Sequence, residues 1–228
     1  MKWLTPDGVV AALGVGFLVT WRFSWPGLAL LGACFLSGSL LSQFAERRAP
    51  RRNARQVIAN GGVAALAACL GSWPAAAGAL AAATADTWAT EIGAFSPIPP
   101  RLIVTGQRVA RGTSGGITAL GTLGGIAGAV VMAALARGVA APGRVLGVLA
   151  LTGAGVAGLV LDSLLGATLQ GRYECPGCAA RFERGNSVCH ESVRLVGGWR
   201  WLDNDGVNLT ATLCGAVVAV VAAQRALR

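Results

Sequence analysis

Seven apolar runs, each near the length of a bilayer-crossing helix and separated by short arginine-bearing links, leave this chain little choice of fold. They cover roughly 6–22, 25–44, 57–72, 75–92, 116–136, 145–169 and 205–223. A run of about 20 residues spans the hydrocarbon core as an α-helix, and in lipid every backbone N–H and C=O must pair within the chain. The third run is short and contains glycine. The expectation is therefore an all-α, polytopic bundle of six or seven transmembrane helices, a single transmembrane domain over 1–228. Composition agrees, with 54% hydrophobic and 13% charged residues and a mean hydropathy of +0.60, outside the soluble norm. Lys2 ahead of an apolar run resembles a signal peptide, but "WRFSWP" leads straight into the next run without a small-residue cleavage pattern, so the first run is read as a retained span.

Glycine and alanine fill the spans. Gly121 with Gly125, and Gly124 with Gly128, are four apart, a spacing that lets helices approach closely. Trp21, Trp25 and Trp73 fall at predicted helix ends, where amphipathic rings favour the interface, and Pro26 and Pro74 fall in predicted first turns. Cys34, Cys69 and Cys214 lie in apolar runs and read as small core residues.

The net charge of +9 would point to nucleic acid in a soluble protein. Here the cations sit in short links between apolar runs, the pattern of membrane orientation and of anionic head groups, so no nucleic-acid partner is expected. Lys2 is the only lysine and there is no GxxxxGK[ST] stretch, which removes a P-loop or a lysine nucleophile. "ERRAPRRNARQ" carries Arg47, Arg48, Arg51, Arg52 and Arg55 and is read as cytoplasmic. Threading from it places Lys2, Arg101, Arg108, Arg111, Arg172, Arg181, Arg184, Arg194 and Arg200 on the same side. Only Arg22, Arg137, Arg144, Arg225 and Arg228 fall opposite. This bias puts the N-terminus inside and the C-terminus outside an inner or plasma membrane.

Against this background the polar residues inside the spans stand out. Asp86 and Glu91 lie near the cytoplasmic exit of the fourth run, Asp162 and Gln170 near that of the sixth, and Asp205 at the entry of the seventh with Asn204 and Asn208. Asn53, Gln56 and Asn60 share one face at the entry of the third. An ionisable group at bilayer depth costs several kcal/mol unless paired, hydrated or bound to a cation. Oxygen ligands from Asp86, Glu91, Asp162 and Asp205, with amide help from Asn60, Asn204 and Asn208, suit Mg²⁺. Asp86 and Glu91 stand about 140° apart on an ideal helix and would converge on one ion only if the helix unwinds near Gly93.

Mg²⁺ usually bridges phosphates. The glycine-rich stretch Gly112, Thr113, Ser114, Gly115 and Gly116 enters the fifth run, where a helix N-terminus would offer backbone N–H groups to a phosphate, and Arg108 and Arg111 add forked donors. The loop at about 171–200 holds Cys175, Cys178, Cys189 and His190, the only histidine. A C-x₂-C pair followed by a further thiol and an imidazole is zinc-ligand chemistry, although adjacent Cys189 and His190 are an awkward pair of simultaneous ligands. A small cytoplasmic Cys-rich loop with structural Zn²⁺ is expected.

Four segments in order, "ADTWATEIG", "PRLIVTGQRVARGTSGGIT", "GLVLDSLLGATLQ" and "RWLDNDGVN", resemble the membrane family that contains plant phytyl-phosphate kinase and the animal transmembrane protein nineteen. The resemblance runs from about Asn60 to Asn208. It implies an enzyme that passes the γ-phosphoryl group of a nucleoside triphosphate, CTP or ATP, to an isoprenyl monophosphate lipid at the cytoplasmic leaflet, with Mg²⁺ as cofactor. Two other readings stay open: a CTP-dependent lipid head-group transferase, which would release pyrophosphate, and a small-solute transporter, which would need polar residues near the midplane and paired broken helices.

Overall fold

The computed structural model describes residues 3–44, 51–140, 147–178, 180–182, 189–190 and 192–226. Lys2, Arg47, Arg48, Arg144, Arg184 and Arg228, counted above for orientation, lie outside them. The described residues form six helices: α1 Pro6–Phe44, α2 Ala54–Cys69, α3 Trp73–Gly93, α4 Ala119–Val139, α5 Val148–Thr168 and α6 Asn204–Ala226. Four of them, α1, α4, α5 and α6, are long and apolar enough to cross a membrane.

The first helix is two arms. Ser24 takes φ 55°, ψ −145°, left-handed backbone that breaks the helical ladder ahead of Pro26. The ring centroids of Trp3 and Phe35 are 5.9 Å apart, whereas a straight helix would separate those positions by about 48 Å. The arms at 6–23 and 25–44 therefore fold back on each other, as two separate apolar runs would require. Trp21 and Trp25 are exposed near the bend, but Trp73 is buried, edge-on to Phe23 at 5.3 Å. It packs the core instead of anchoring at the interface.

Caps written in the sequence set the helix starts. Asn53 and Gln56 form a reciprocal capping box at α2, each bond 3.1 Å. Thr118 accepts from Gly121 N at α4, and Asp203 from Gly206 N at α6. Each satisfies an N–H that a helix leaves without an internal partner.

The Ala-rich α3 packs against all five other helices, and its residues 76–85 are buried on every side. A helix surrounded in this way is apolar all round, and small side chains let its neighbours close in. Gly78 meets Gly215 of α6 backbone to backbone, and Gly125 of α4 faces the Ala85 carbonyl. A side chain at either place would strike backbone, so the small-residue spacing works as anticipated. Cys34 and Cys214 are half-buried, while Cys69, at the end of α2, is exposed and does not belong to the core.

Between the helices lie two small antiparallel sheets. Strands β1 Arg101–Leu102 and β2 Gly116–Ile117 close the loop between α3 and α4 into a lasso. Strands β3 Arg172–Glu174, β4 Arg181–Phe182 and β5 Arg194–Gly197 form a three-stranded sheet in the order β4-β3-β5 between α5 and α6. Trp199 N donates to Leu169 O and Gly171 N to Leu202 O, both at 2.8 Å, so this insert leaves and returns at the same end of the bundle.

Candidate functional site

At that end the helices enclose a cavity of about 410 Å³. Its wall includes Asn60 from α2, Asp86 and Glu91 from α3, the lasso from Arg111 to Gly116, Asp162 from α5, Gln170, and Asn204 and Asn208 from α6. Polar residues scattered over most of the sequence thus meet in one place.

Asp86 and Asp162 touch, side chain to side chain. Two neighbouring carboxylates, both half-buried in this wall, repel each other, and a cation between them would offset that repulsion. Oxygen donors of this kind fit a hard divalent cation. Glu91 stands on a different wall. The helix does not unwind near Gly93 but runs intact over Trp73–Gly93, so Glu91 turns toward α1, where Ser42 Oγ donates to its Oε1 at 2.6 Å. Its Oε2 is buried with no hydrogen-bond partner among the described residues. Asp205 is not part of the wall. It is buried and ion-paired with Arg55, Oδ2 to Nε 3.6 Å, beside the Arg55–Asp203 pair at 2.7 Å. The four acids read as one ligand set are therefore a contacting pair, a neighbour across the cavity, and a fourth engaged elsewhere.

The glycine-rich stretch is a turn of the lasso and not the first turn of a helix, because α4 begins only at Ala119 after its Thr118 cap. Gly112 and Gly115 take positive φ, 82° and 75°. At Gly115 any Cβ would strike the Ala167 backbone, so only glycine lets the loop lie directly on the end of α5. The N–H groups of Thr113 and Gly116 are used inside the turn, bonding Ala110 O and Thr113 O. Fewer amides than anticipated are left for a ligand.

The two arginines expected to hold phosphate also sit differently. Arg108 is exposed, bridged to Arg101 on the outer side of the lasso, and does not line the cavity. Arg111 lines it, but its guanidinium clamps two carbonyls, Ala94 O at 2.9 Å and Ser96 O. The cation that sequence reasoning missed is Arg52, taken there only as a loop charge. It lines the cavity because it is the residue just before the α2 capping box, whose Asn53 fixes where the chain turns inward. Gln170 is 2% exposed, and its Nε2 has no partner among the described residues, which leaves a donor at the wall.

The Cys-rich insert assembles as anticipated. Cys175, Cys178, Cys189 and His190 each place a ligand atom within 4.8 Å of all the others. Cys178 Sγ and Cys189 Sγ are 3.5 Å apart and Cys189 Sγ and His190 Nδ1 3.3 Å. A tetrahedron with Zn–S bonds of about 2.3 Å has edges of about 3.8 Å, and the three sulfurs and one imidazole nitrogen lie close enough together to form one, adjacent Cys189 and His190 included. Contact with the Cys178 thiol pushes the Cys189 thiol up. A bound cation would reverse that preference by stabilising thiolates.

The family model described as integral membrane protein DUF92 matches residues 1–216. An uncharacterized membrane protein of Methanocaldococcus jannaschii is 32% identical over 231 positions, which cover 96% of this chain and 85% of that protein. Protein PGR of Arabidopsis thaliana is 30% identical, with 85% and 80% covered. An uncharacterized membrane protein of Synechocystis is 29% identical, with 96% and 82% covered. No solved structure matches.

Proposed function

Starting from a chain that belongs to the DUF92 family of integral membrane proteins, we propose that it is a membrane-embedded, magnesium-dependent isoprenyl-monophosphate kinase. The observation that carries this reading is the Asp86–Asp162 pair in the wall of a cavity that also holds the glycine lasso and several side-chain amides. Phosphoryl transfer needs positioning, metal and positive charge more than a covalent nucleophile, and carboxylates able to hold a cation, side-chain amides and Arg52 in this wall support that reading.

In this reading Asp86 and Asp162 would hold Mg²⁺, which would offset negative charge on phosphate, and Glu91 faces the same space from the opposite wall. The lasso amides, Gln170, Asn204 and Asn208 orient the triphosphate of CTP or ATP. An oxygen of the lipid monophosphate bonds to the γ-phosphorus while the bond from that phosphorus to the bridging oxygen breaks. The products are the isoprenyl diphosphate and a nucleoside diphosphate. Nucleotide reaches the site from the cytoplasm, which places this end of the bundle at the cytoplasmic leaflet. We assign structural Zn²⁺ to the Cys175, Cys178, Cys189 and His190 cluster, since four protein ligands leave no open position for chemistry.

Purified protein given γ-labelled ATP or CTP, Mg²⁺ and a panel of isoprenyl monophosphates should transfer label to the lipid and leave a nucleoside diphosphate. Pyrophosphate release with CTP would instead identify a head-group transferase. No transfer to any lipid phosphate by folded protein would overturn the proposal. Transport is disfavoured because the polar residues gather at one end of the bundle and not at its midplane.

A further inference from the structure

A second hollow, of about 710 Å³, lies between the two arms of α1 and α2. Its lining is apolar, and Leu13, Phe17 and Leu28 at its rim are more than half exposed, so it opens outward. Arg52, Gln56 and Asn60 line both this groove and the polar cavity. The two spaces thus share a wall, with hydrocarbon on one side and carboxylates on the other.

Arg52 marks the junction. Its backbone is held by Arg52 N donating to Trp3 O at 2.9 Å and Thr5 N donating to Arg52 O at 3.1 Å. Its guanidinium lies 5.7 Å from the centroid of the Phe35 ring. Among the described residues the ion pairs go to Arg55, and Arg52 has none. A half-buried guanidinium without a carboxylate is poorly compensated, and its planar fork matches phosphate oxygens.

We propose that the groove holds the hydrocarbon chain of an isoprenyl monophosphate, with Arg52 gripping the phosphate at the mouth of the polar cavity. That the lipid is an isoprenoid, and what then happens to its phosphate, rest on the kinase reading; that a phosphate-headed lipid lies here does not. From Leu4, bridged to Arg52, to Trp21 the first arm rises about 25 Å. One leaflet offers about 15 Å of hydrocarbon, so the groove suits a long chain running along the arm. Gly16 and Gly32 line it, and a Cβ at either meets nothing within 4 Å. The space a side chain would take is left for the lipid.

Those glycines supply the test, because Gly16→Leu and Gly32→Leu fill the groove without striking the fold. Each should lower the ratio of kcat/KM for a twenty-carbon over a five-carbon isoprenyl monophosphate by about tenfold or more. Gly14→Leu, equally open but outside the groove, should leave that ratio unchanged. An unchanged ratio in both groove variants would overturn the assignment. A binding arm needs neither nucleotide nor metal: a twenty-carbon monophosphate carrying a diazirine at its tail end is photolysed with the full chain in micelles. Label should appear on residues 12–35 or 57–61, and be competed by unlabelled isoprenyl monophosphate but not by the parent alcohol. Arg52→Gln should abolish that preference for phosphate. Label in the groove from a protein with no kinase activity would retire the kinase and keep the groove; kinase activity with label elsewhere would do the reverse. Stronger competition by phosphatidate would overturn the isoprenyl assignment in favour of a diacyl lipid.

Discussion

The carboxyl of Asp86 on α3 meets that of Asp162 on α5, although the two helices are far apart in sequence and carry no other acid on the seam between them. Small residues bring the backbones close enough for this, with Gly158 of α5 lying against Ala82 of α3 one turn away from the pair. Removing one charge while keeping the shape, as in Asp162→Asn, leaves a partner able to hydrogen-bond Asp86 and disturbs packing little. Magnesium-dependent turnover should fall at least about a hundredfold, in line with losing a main electrostatic element of the site, while the melting temperature stays near that of the wild type. Equal turnover by both proteins, each purified and monodisperse, would remove the acids from metal binding.

Arg111 is better described as a clamp than as a phosphate donor. Its fork joins Ala94 O to Ser96 O where α3 ends and the lasso begins. Arg111→Ala should cost roughly 1.5–3 kcal/mol of stability, the range for a hydrogen bond involving a charged group, and should lower kcat/KM by loosening the cavity wall. Arg111→Lys should not restore either, since a compact ammonium cannot span two carbonyls. Arg137→Ala, near the far end of α4 and exposed, should change neither, as thermal melts and steady-state kinetics on the three variants will show.

The helices were legible from the sequence because long apolar runs can pair their backbone only internally. Even the bend at Ser24 separates the two runs read there. The site was legible in part: Asn60, Asp86, Asp162, Gln170, Asn204 and Asn208 line one cavity because each lies toward the same end of the bundle, Gln170 just beyond the end of α5. Spacing along one helix could not say which neighbour each residue faces. Glu91 turns to Ser42 and Asp205 to Arg55, and those partners come from helices distant in sequence. Arg52 escaped in part for the same reason: the capping box beside it marks where α2 starts, but the bridge that holds Arg52 to Leu4 is not local in sequence.

The Cys-rich insert offers a prediction independent of catalysis. Cys175 is buried at the end of β3 while Cys178, Cys189 and His190 are exposed, so its thiol is the ligand tied to the three-stranded sheet. Elemental analysis should find about one zinc per chain, and Cys175→Ser should abolish it, because a four-coordinate site loses its affinity with any ligand. Chelation should destabilise the insert before the bundle, visible as protease cleavage confined to residues 171–203. Zinc-free wild-type protein with unchanged cleavage would leave the cluster without a metal.

Orientation can be tested at both ends of the bundle at once. Arg51 and Arg101 are exposed at the end that carries the cavity, and Arg137 is exposed near the other. The described arginines divide in the same way, with Arg52, Arg55, Arg108, Arg111, Arg172, Arg194 and Arg200 at the cavity end and Arg22 and Arg225 opposite, and from that asymmetry the richer end is expected inside. Cysteines introduced at 51 and 101 should resist a membrane-impermeant maleimide applied to intact cells and react after permeabilisation, whereas a cysteine at 137 should react in both. The native Cys178 and Cys189 must be replaced for the experiment, and Cys69, exposed at the end of α2 on the Arg137 side, gives an internal positive signal. Rapid labelling at 101 in intact cells would put the cavity outside, where nucleoside triphosphate is scarce, and would count directly against a kinase.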